Sequence, residues 1–240
     1  MSFSQKISGD IGSYNLSDWW LNSFTKEERI VIENIYKPLG YNINSRPLTE
    51  GAIHRKSQSK AFFLSVLAGW FNNPKNRSIA NRIIEQAEQY IEERSVDALT
   101  AHFVYSEMIS IYYSQRENIK MLSRAIETCK KQIEIALKVI VVLRQKYEKD
   151  QLESRKATID WRKDMKVWNG KEYVDQKDYD FDSGFNAFHL PSHKGYEQLT
   201  IILNKQGKNE EAIKLCEQAK AQGWSGDWNK RISRYSKIVR

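Results

Sequence analysis

The side chains best suited to chemistry in this chain are few and scattered. Asp178, Asp180 and Asp182 alternate with Tyr179 and Phe181 ahead of Ser183-Gly184. Alternating carboxylates of this kind can converge on a hard cation such as calcium. The EF-hand loop, however, requires Gly where Ser183 stands and a bidentate Glu where His189 stands. The run therefore reads as an acidic loop that satisfies neighbouring Lys or Arg side chains, and no metal is expected there. His189 and His193 are four residues apart, but Pro191 between them precludes a regular helix that would present both to zinc. Cys129 and Cys216 lie far apart with no Cys-x-x-Cys, so neither a disulfide scaffold nor a zinc site is expected. Both fall on helix positions expected to be core, where a thiol has a raised pKa and is inert. His54 sits in a basic loop and His102 opens a helical stripe, and neither has a carboxylate partner evident in sequence. There is no nucleophile elbow, P-loop, dinucleotide fingerprint or His-Glu-x-x-His. The expectation is a protein that is not an enzyme, with no cofactor and no metal.

The elements that would position any site are helices. Pro (4) and Gly (11) are scarce among 240 residues, and no Gly or Pro occurs from Lys75 to Asn169, which favours helix strongly. Hydrophobic residues make up 40% and aromatics 12%, including seven Trp, enough to exclude intrinsic disorder. A chain of this length builds an ordinary core without disulfides. Its longest apolar run, Val139 to Leu143, is too short to cross a bilayer. The first ten residues hold no apolar signal core, so a cytoplasmic location is expected. Formal net charge is +8 and the basic surplus falls in two blocks, 55–95 and 183–240, which favours acidic partners.

Apolar spacing supplies the helix faces. Ile79, Ile83, Ile84, Ala87, Tyr90 and Ile91 form one stripe. Met108, Ile111 and Tyr112 form another, and Leu122, Ala125, Ile126, Cys129 and Ile133 a third. Ser17-Asp18 ahead of Trp19-Trp20-Leu21 predicts a short capped helix, and the two Trp are expected as a buried lid over the first helices. Thr25 and Glu28 have capping-box spacing before Ile30, Ile32 and Ile35. Pro38 and Gly40 end that helix, and residues 38–55 read as a loop. Val139 to Met165 reads as a long helix, and Asn169-Gly170 as a tight turn between short strands.

Residues 61–94 and 193–226 are self-similar without a gap. In the first, Leu64, Leu67, Ala68 and Phe71 precede Asn72-Asn73-Pro74, and Ala80, Ile84 and Ala87 follow. In the second, Tyr196, Leu199, Thr200 and Leu203 precede Gln206-Gly207-Lys208, and Ala212, Cys216 and Ala219 follow. A looser middle copy places Tyr105, Met108, Ile109 and Tyr112 before Ala125 and Cys129, after a four-residue insertion near 118–121, with Gln132 where a small residue is expected. The pattern resembles the tetratricopeptide repeat (TPR), a helix–turn–helix unit of about 34 residues. Lys205 to Ile213 is its most specific fragment; Pro74-Lys75 replace the turn glycine in the first copy, and Trp224 stands where a terminal Pro is usual.

The fold class expected is all-α, a TPR-like superhelix with additions. A helical N-terminal extension and loop occupy 1–56, and the array occupies 57–240. Its repeats lie at about 61–94, 102–139 and 193–226, with an insertion over 140–192 and a capping helix over 226–239. In that last helix Trp228, Ile232, Tyr235 and Ile238 face inward, and Lys230, Arg231, Arg234, Lys237 and Arg240 face water.

The resemblance implies a protein–protein interaction module in which first helices line a concave groove for a peptide or partner protein. Carried over, the groove candidates are Phe62, Ser65, Asn72 and Asn73 in the first repeat. They are Phe103, Ser106, Ser110 and Tyr113 in the second, and Lys194, Glu197, Ile201, Asn204 and Lys205 in the third. The Lys/Asn carboxylate clamp of some relatives is absent, because Ser65 and Gly69 stand at its positions. Two alternatives belong to other classes. A basic helical repeat that binds nucleic acid would gather Arg55, Lys56, Lys60, Arg77 and Arg82 on one face with Lys194, Lys205 and Lys208, and its affinity would fall steeply with salt. An antagonist or immunity-type protein would neutralise one acidic enzyme.

Overall fold

A computed structural model describes residues 7–42, 44–51, 59–93, 96–162, 166–175 and 188–237. The fold is all-α, with one short hairpin. The chain divides into two compact units, Met1–Ile133 and Glu134–Arg240.

The first unit holds α1 (Gly9–Ser13), α2 (Ser17–Ser23), α3 (Lys26–Ile35), α4 (Lys60–Gly69), α5 (Arg77–Glu93), α6 (Ala98–Tyr113) and α7 (Ile119–Glu134). One hydrophobic cluster runs through it, from Ile11, Leu16, Trp20, Ile32 and Leu48 to Phe63, Leu64, Phe71, Ile83, Met108 and Tyr112. Burial of each such large apolar side chain is worth about 1.5–3 kcal/mol. Residues from the N-terminal helices and from α4–α6 thus share a core.

Local chemistry explains the helix ends. At α3 the capping box is present: Thr25 Oγ1 accepts from the Glu28 amide at 3.2 Å, and the Thr25 amide donates to Glu28 Oε2 at 2.9 Å. Ser59 and Asp97 cap α4 and α6 through their side chains. At α2 the expectation of a Ser17-Asp18 cap is corrected. Ser17 is already helical, the cap position belongs to Leu16, and no side-chain cap bond forms. Leu16 is buried instead, and its amide donates to the Ile11 carbonyl at 2.9 Å, so the backbone of α1 fixes the start of α2. Of the two Trp expected as a buried lid, Trp20 is buried and Trp19 is half-buried against the core.

The loop after α3 has a structural task. Its carbonyls at Pro47, Leu48, Thr49 and Gly51 accept from the amides of Asp10, Ile11, Ser8 and Gly9, at 2.9–3.2 Å. These satisfy the amides left unpaired at the start of a short helix. Gly9 has φ +61, and a Cβ there would lie 2.6 Å from the Pro47 carbonyl oxygen, so no other residue fits.

The second unit holds α8 (Ala136–Arg162), β1 (Lys166–Trp168), β2 (Tyr173–Asp175), α9 (Lys194–Lys205), α10 (Asn209–Ala221) and α11 (Trp228–Ser236). The long helix starts at Ala136 rather than Val139, directly after α7, so residues 136–139 belong to it. β1 and β2 pair antiparallel with Trp168 opposite Tyr173. Asn169-Gly170 makes the expected turn: Asn169 Oδ1 accepts from the Lys171 and Glu172 amides, and Gly170 has φ +98.

Both α9 and α10 end in the same glycine-dependent motif. The Lys208 amide donates to Leu203 O at 2.9 Å and the Gly207 amide to Asn204 O at 3.0 Å. The Trp224 amide donates to Ala219 O at 3.1 Å and the Gly223 amide to Lys220 O at 3.0 Å. These are paired Schellman bonds, and each requires a left-handed residue. The second seats Trp224, which is buried with its ring 4.6 Å from His193. In α11, Trp228 and Tyr235 are buried, whereas Lys230, Arg234 and Lys237 are exposed. Arg231 departs from the expectation of a solvated cation. It pairs with Asp227 and donates to the Glu197 carbonyl at 3.1 Å. Ile238 and Arg240 lie outside the described residues.

Candidate functional site

On α4, Phe62, Val66 and Trp70 recur every fourth residue and therefore share one face. Val66 is 41% and Trp70 39% exposed, and Trp70 leans edge-on against Tyr36 at 5.4 Å. On α6, Phe103 is 44% exposed. Its ring meets Phe62 edge-to-face at 6.0 Å. At the other end of the two helices, Ser114 Oγ donates to Asn72 Oδ1 at 2.8 Å. Between them, a Cβ on Gly69 would lie 3.2 Å from Glu107 Oε2. These three pairs ascend together, so α4 and α6 run parallel and form a seam with exposed apolar groups along it.

The structure brings Phe62, Phe103 and Asn72 of the predicted set onto this seam. It does not place Ser65 there. Ser65 is buried, and its hydroxyl donates to the Phe62 carbonyl at 2.8 Å. Ser106 and Ser110 are half-buried, and their hydroxyls donate back to His102 O at 3.1 Å and Ser106 O at 3.0 Å. Asn73 is a turn residue whose amide donates to Phe71 O at 2.7 Å. Tyr113 is half-buried, with the Arg116 guanidinium 5.0 Å from its ring centre. Serine hydroxyls within a helix commonly bond their own backbone, and the hydrogens of these three are engaged in that way. Val66 and Trp70 were not among the predicted residues. Their spacing from Phe62 is the signal that identifies them.

Lys194, Glu197, Ile201, Asn204 and Lys205 belong to α9 of the second unit. The first four are half-buried and Lys205 is exposed. Asn204 has a structural role, since its Nδ2 donates to Asn209 Oδ1 at 2.6 Å across the α9–α10 turn.

Three cations of the first basic block are engaged internally. Arg77 donates to Ser114 O at 3.1 Å, Arg82 to Ser23 O at 2.6 Å and to Glu28, and Lys60 lies over the Tyr90 ring at 5.4 Å. Arg124 spans Glu85 and Glu88 from α7 to α5. Arg55 and Lys56 lie outside the described residues.

Among titratable groups, burial lowers the His102 pKa to about 4 and raises the Cys216 thiol to about 11. His102 is therefore neutral and Cys216 a protonated, unreactive thiol at neutral pH. His193 is buried and His189 exposed. Among the described residues no group of three or more His, Cys, Asp or Glu is placed to hold a metal ion. The Asp178–Asp182 run lies outside the described residues. No described helix is long and apolar enough to cross a membrane. No family model, curated protein or solved structure matches the chain.

Proposed function

We propose that this chain is a non-catalytic protein–protein interaction module that binds a partner segment along the α4–α6 seam. The observation that carries the reading is the edge-to-face pair of half-buried Phe62 and exposed Phe103, with Val66 and Trp70 exposed along the same face as Phe62. Exposed aromatics on rigid helices are the groups that anchor partners, because they bury much area and lose little side-chain entropy. The parallel packing of α4 on α6, with α5 against both, is the arrangement that stacked helix–turn–helix units would adopt. It supports the TPR resemblance of residues 61–94 and 102–139. An apolar or aromatic side chain of the partner would lie across the Phe103 ring, next to Val66. The internal engagement of Arg77, Arg82 and Lys60 favours a protein partner over nucleic acid.

The test is capture by the tagged native chain, compared with a Phe62→Ser/Phe103→Ser double variant of equal helicity. The expected result is a stoichiometric protein that is retained by the wild type and lost by the variant. A partner held equally by both overturns the assignment of the seam. An eluate that absorbs at 260 nm and is released by salt overturns the protein reading.

A further inference from the structure

A second feature of the first unit lies apart from the α4–α6 seam. A pocket of about 500 Å³ opens between α2, α3 and the 46–50 loop, within the range typical of small-molecule sites. Glu33 lines it and is only 7% exposed. Thr49 Oγ1 donates to Glu33 Oε1. Glu33 Oε2 is buried with no hydrogen-bond partner. A buried carboxylate oxygen without a donor is costly. Burial accordingly raises the Glu33 pKa, while the Thr49 bond and the charges of Arg46 and Lys37 draw it back.

The remaining wall has the opposite character. Lys26, Arg29 and Arg46 supply three cations, and Glu50 is the other acid. Arg29 uses Nη1 on the Leu21 and Phe24 carbonyls. Arg46 forms a long, exposed pair with Glu50 at 3.7 Å. Leu21 and Ile30 line the same pocket and are large exposed apolar residues. A simple anion would meet the Glu33 carboxylate, and a simple cation would meet three positive side chains. A ligand carrying both charges on an apolar body suits the whole wall.

We propose that this pocket binds a small apolar zwitterion of the α-amino-acid class, with its ammonium on Glu33, its carboxylate towards Lys26 and Arg46, and its side chain against Leu21 and Ile30. Glu33 supplies the acceptor that selects an amine. The cations select the carboxylate, and the open apolar wall selects a large aliphatic or aromatic side chain. This reading is independent of the seam.

The test is isothermal titration of the full chain with L-leucine and L-phenylalanine, and with phenethylamine and 3-phenylpropionate as analogues that lack one charge. The amino acids are expected to bind with Kd below about 1 mM, and each analogue at least about tenfold more weakly. Glu33→Gln keeps an acceptor for Thr49 and is expected to lose at least about tenfold. Lys26→Met/Arg46→Met, at exposed positions, is expected to lose a similar factor. No binding of either amino acid at about 10 mM, analogues that bind as well as the amino acids, or unchanged affinity in either variant overturns the proposal.

Discussion

Gln132 on α7 donates its side-chain amide to Ser106 Oγ on α6 at 2.7 Å and to the neighbouring His102 carbonyl, also at 2.7 Å. The position is fully buried. It is the position at which the repeat pattern expects a small residue, and the amide explains the departure. A long polar side chain reaches α6 and ties the two helices together where a small one would leave a gap. Gln132→Ala, a change towards the repeat consensus, is therefore expected to destabilise the protein by about 2–3 kcal/mol through a cavity and lost buried hydrogen bonds. Urea unfolding checks this. A neutral or stabilising effect would show that the bridge contributes nothing.

Glu28 serves two partners at once. Its Oε2 accepts from the Thr25 amide at 2.9 Å and from Arg82 Nη1 at 3.1 Å. The Arg82 hydrogen bond, followed by the Thr25 backbone, holds its carboxyl below the usual range. Glu28→Ala removes half of the capping box and the tie between α3 and α5, and is expected to cost about 1–2 kcal/mol. A double-mutant cycle with Arg82→Ala should give a favourable coupling of about 0.5–1 kcal/mol. Because the folded pKa is depressed, this contribution is present above about pH 4.3 and is lost as pH falls through the lower folded value. Strict additivity of the two substitutions would contradict the ion-pair role.

Half-buried Asp10 and buried His102 bias acid stability in opposite directions. Burial raises the Asp10 pKa to about 6, above its unfolded value of about 3.9. The folded state then holds a proton that the unfolded state has released, so this group lowers stability as pH rises from about 4 to about 6. Burial lowers His102 to about 4, from about 6.5 when unfolded. The unfolded state then takes up the proton first, so this group lowers stability as pH falls from about 6.5 to about 4. In the wild type the two slopes offset each other. Asp10→Asn is expected to gain about 1–2 kcal/mol at pH 7 and to expose the acid loss due to His102. Denaturant titrations at several pH values would show it, and an Asp10→Asn profile parallel to that of the wild type would rule it out.

Neither Cys129 nor Cys216 is in a disulfide and both are buried, and the Cys216 thiol is pushed up to about 11. Thiol titration at neutral pH is expected to be negligible in the native chain and complete in denaturant. Rapid native reaction of either cysteine would place it at an accessible site.

The chain by itself determines what depends on neighbours a few residues apart. The absence of Gly and Pro from Lys75 to Asn169 gives α5 to α8. Thr25 with Glu28 gives the start of α3, Asn169-Gly170 the hairpin turn, and Gly207 the end of α9. Each is an interaction within one or two turns of backbone, which the residue types specify directly. The tertiary structure alone decides which distant groups meet. It sets Gly9 beneath the Pro47 carbonyl and bonds Arg82 to Ser23 and Glu28. It also brings Thr49 to one oxygen of Glu33 and leaves the other without a partner. Helical periodicity states which face of a helix is buried, but not what covers it. A partner tens of residues away leaves no spacing signal, because packing, not local backbone geometry, selects it.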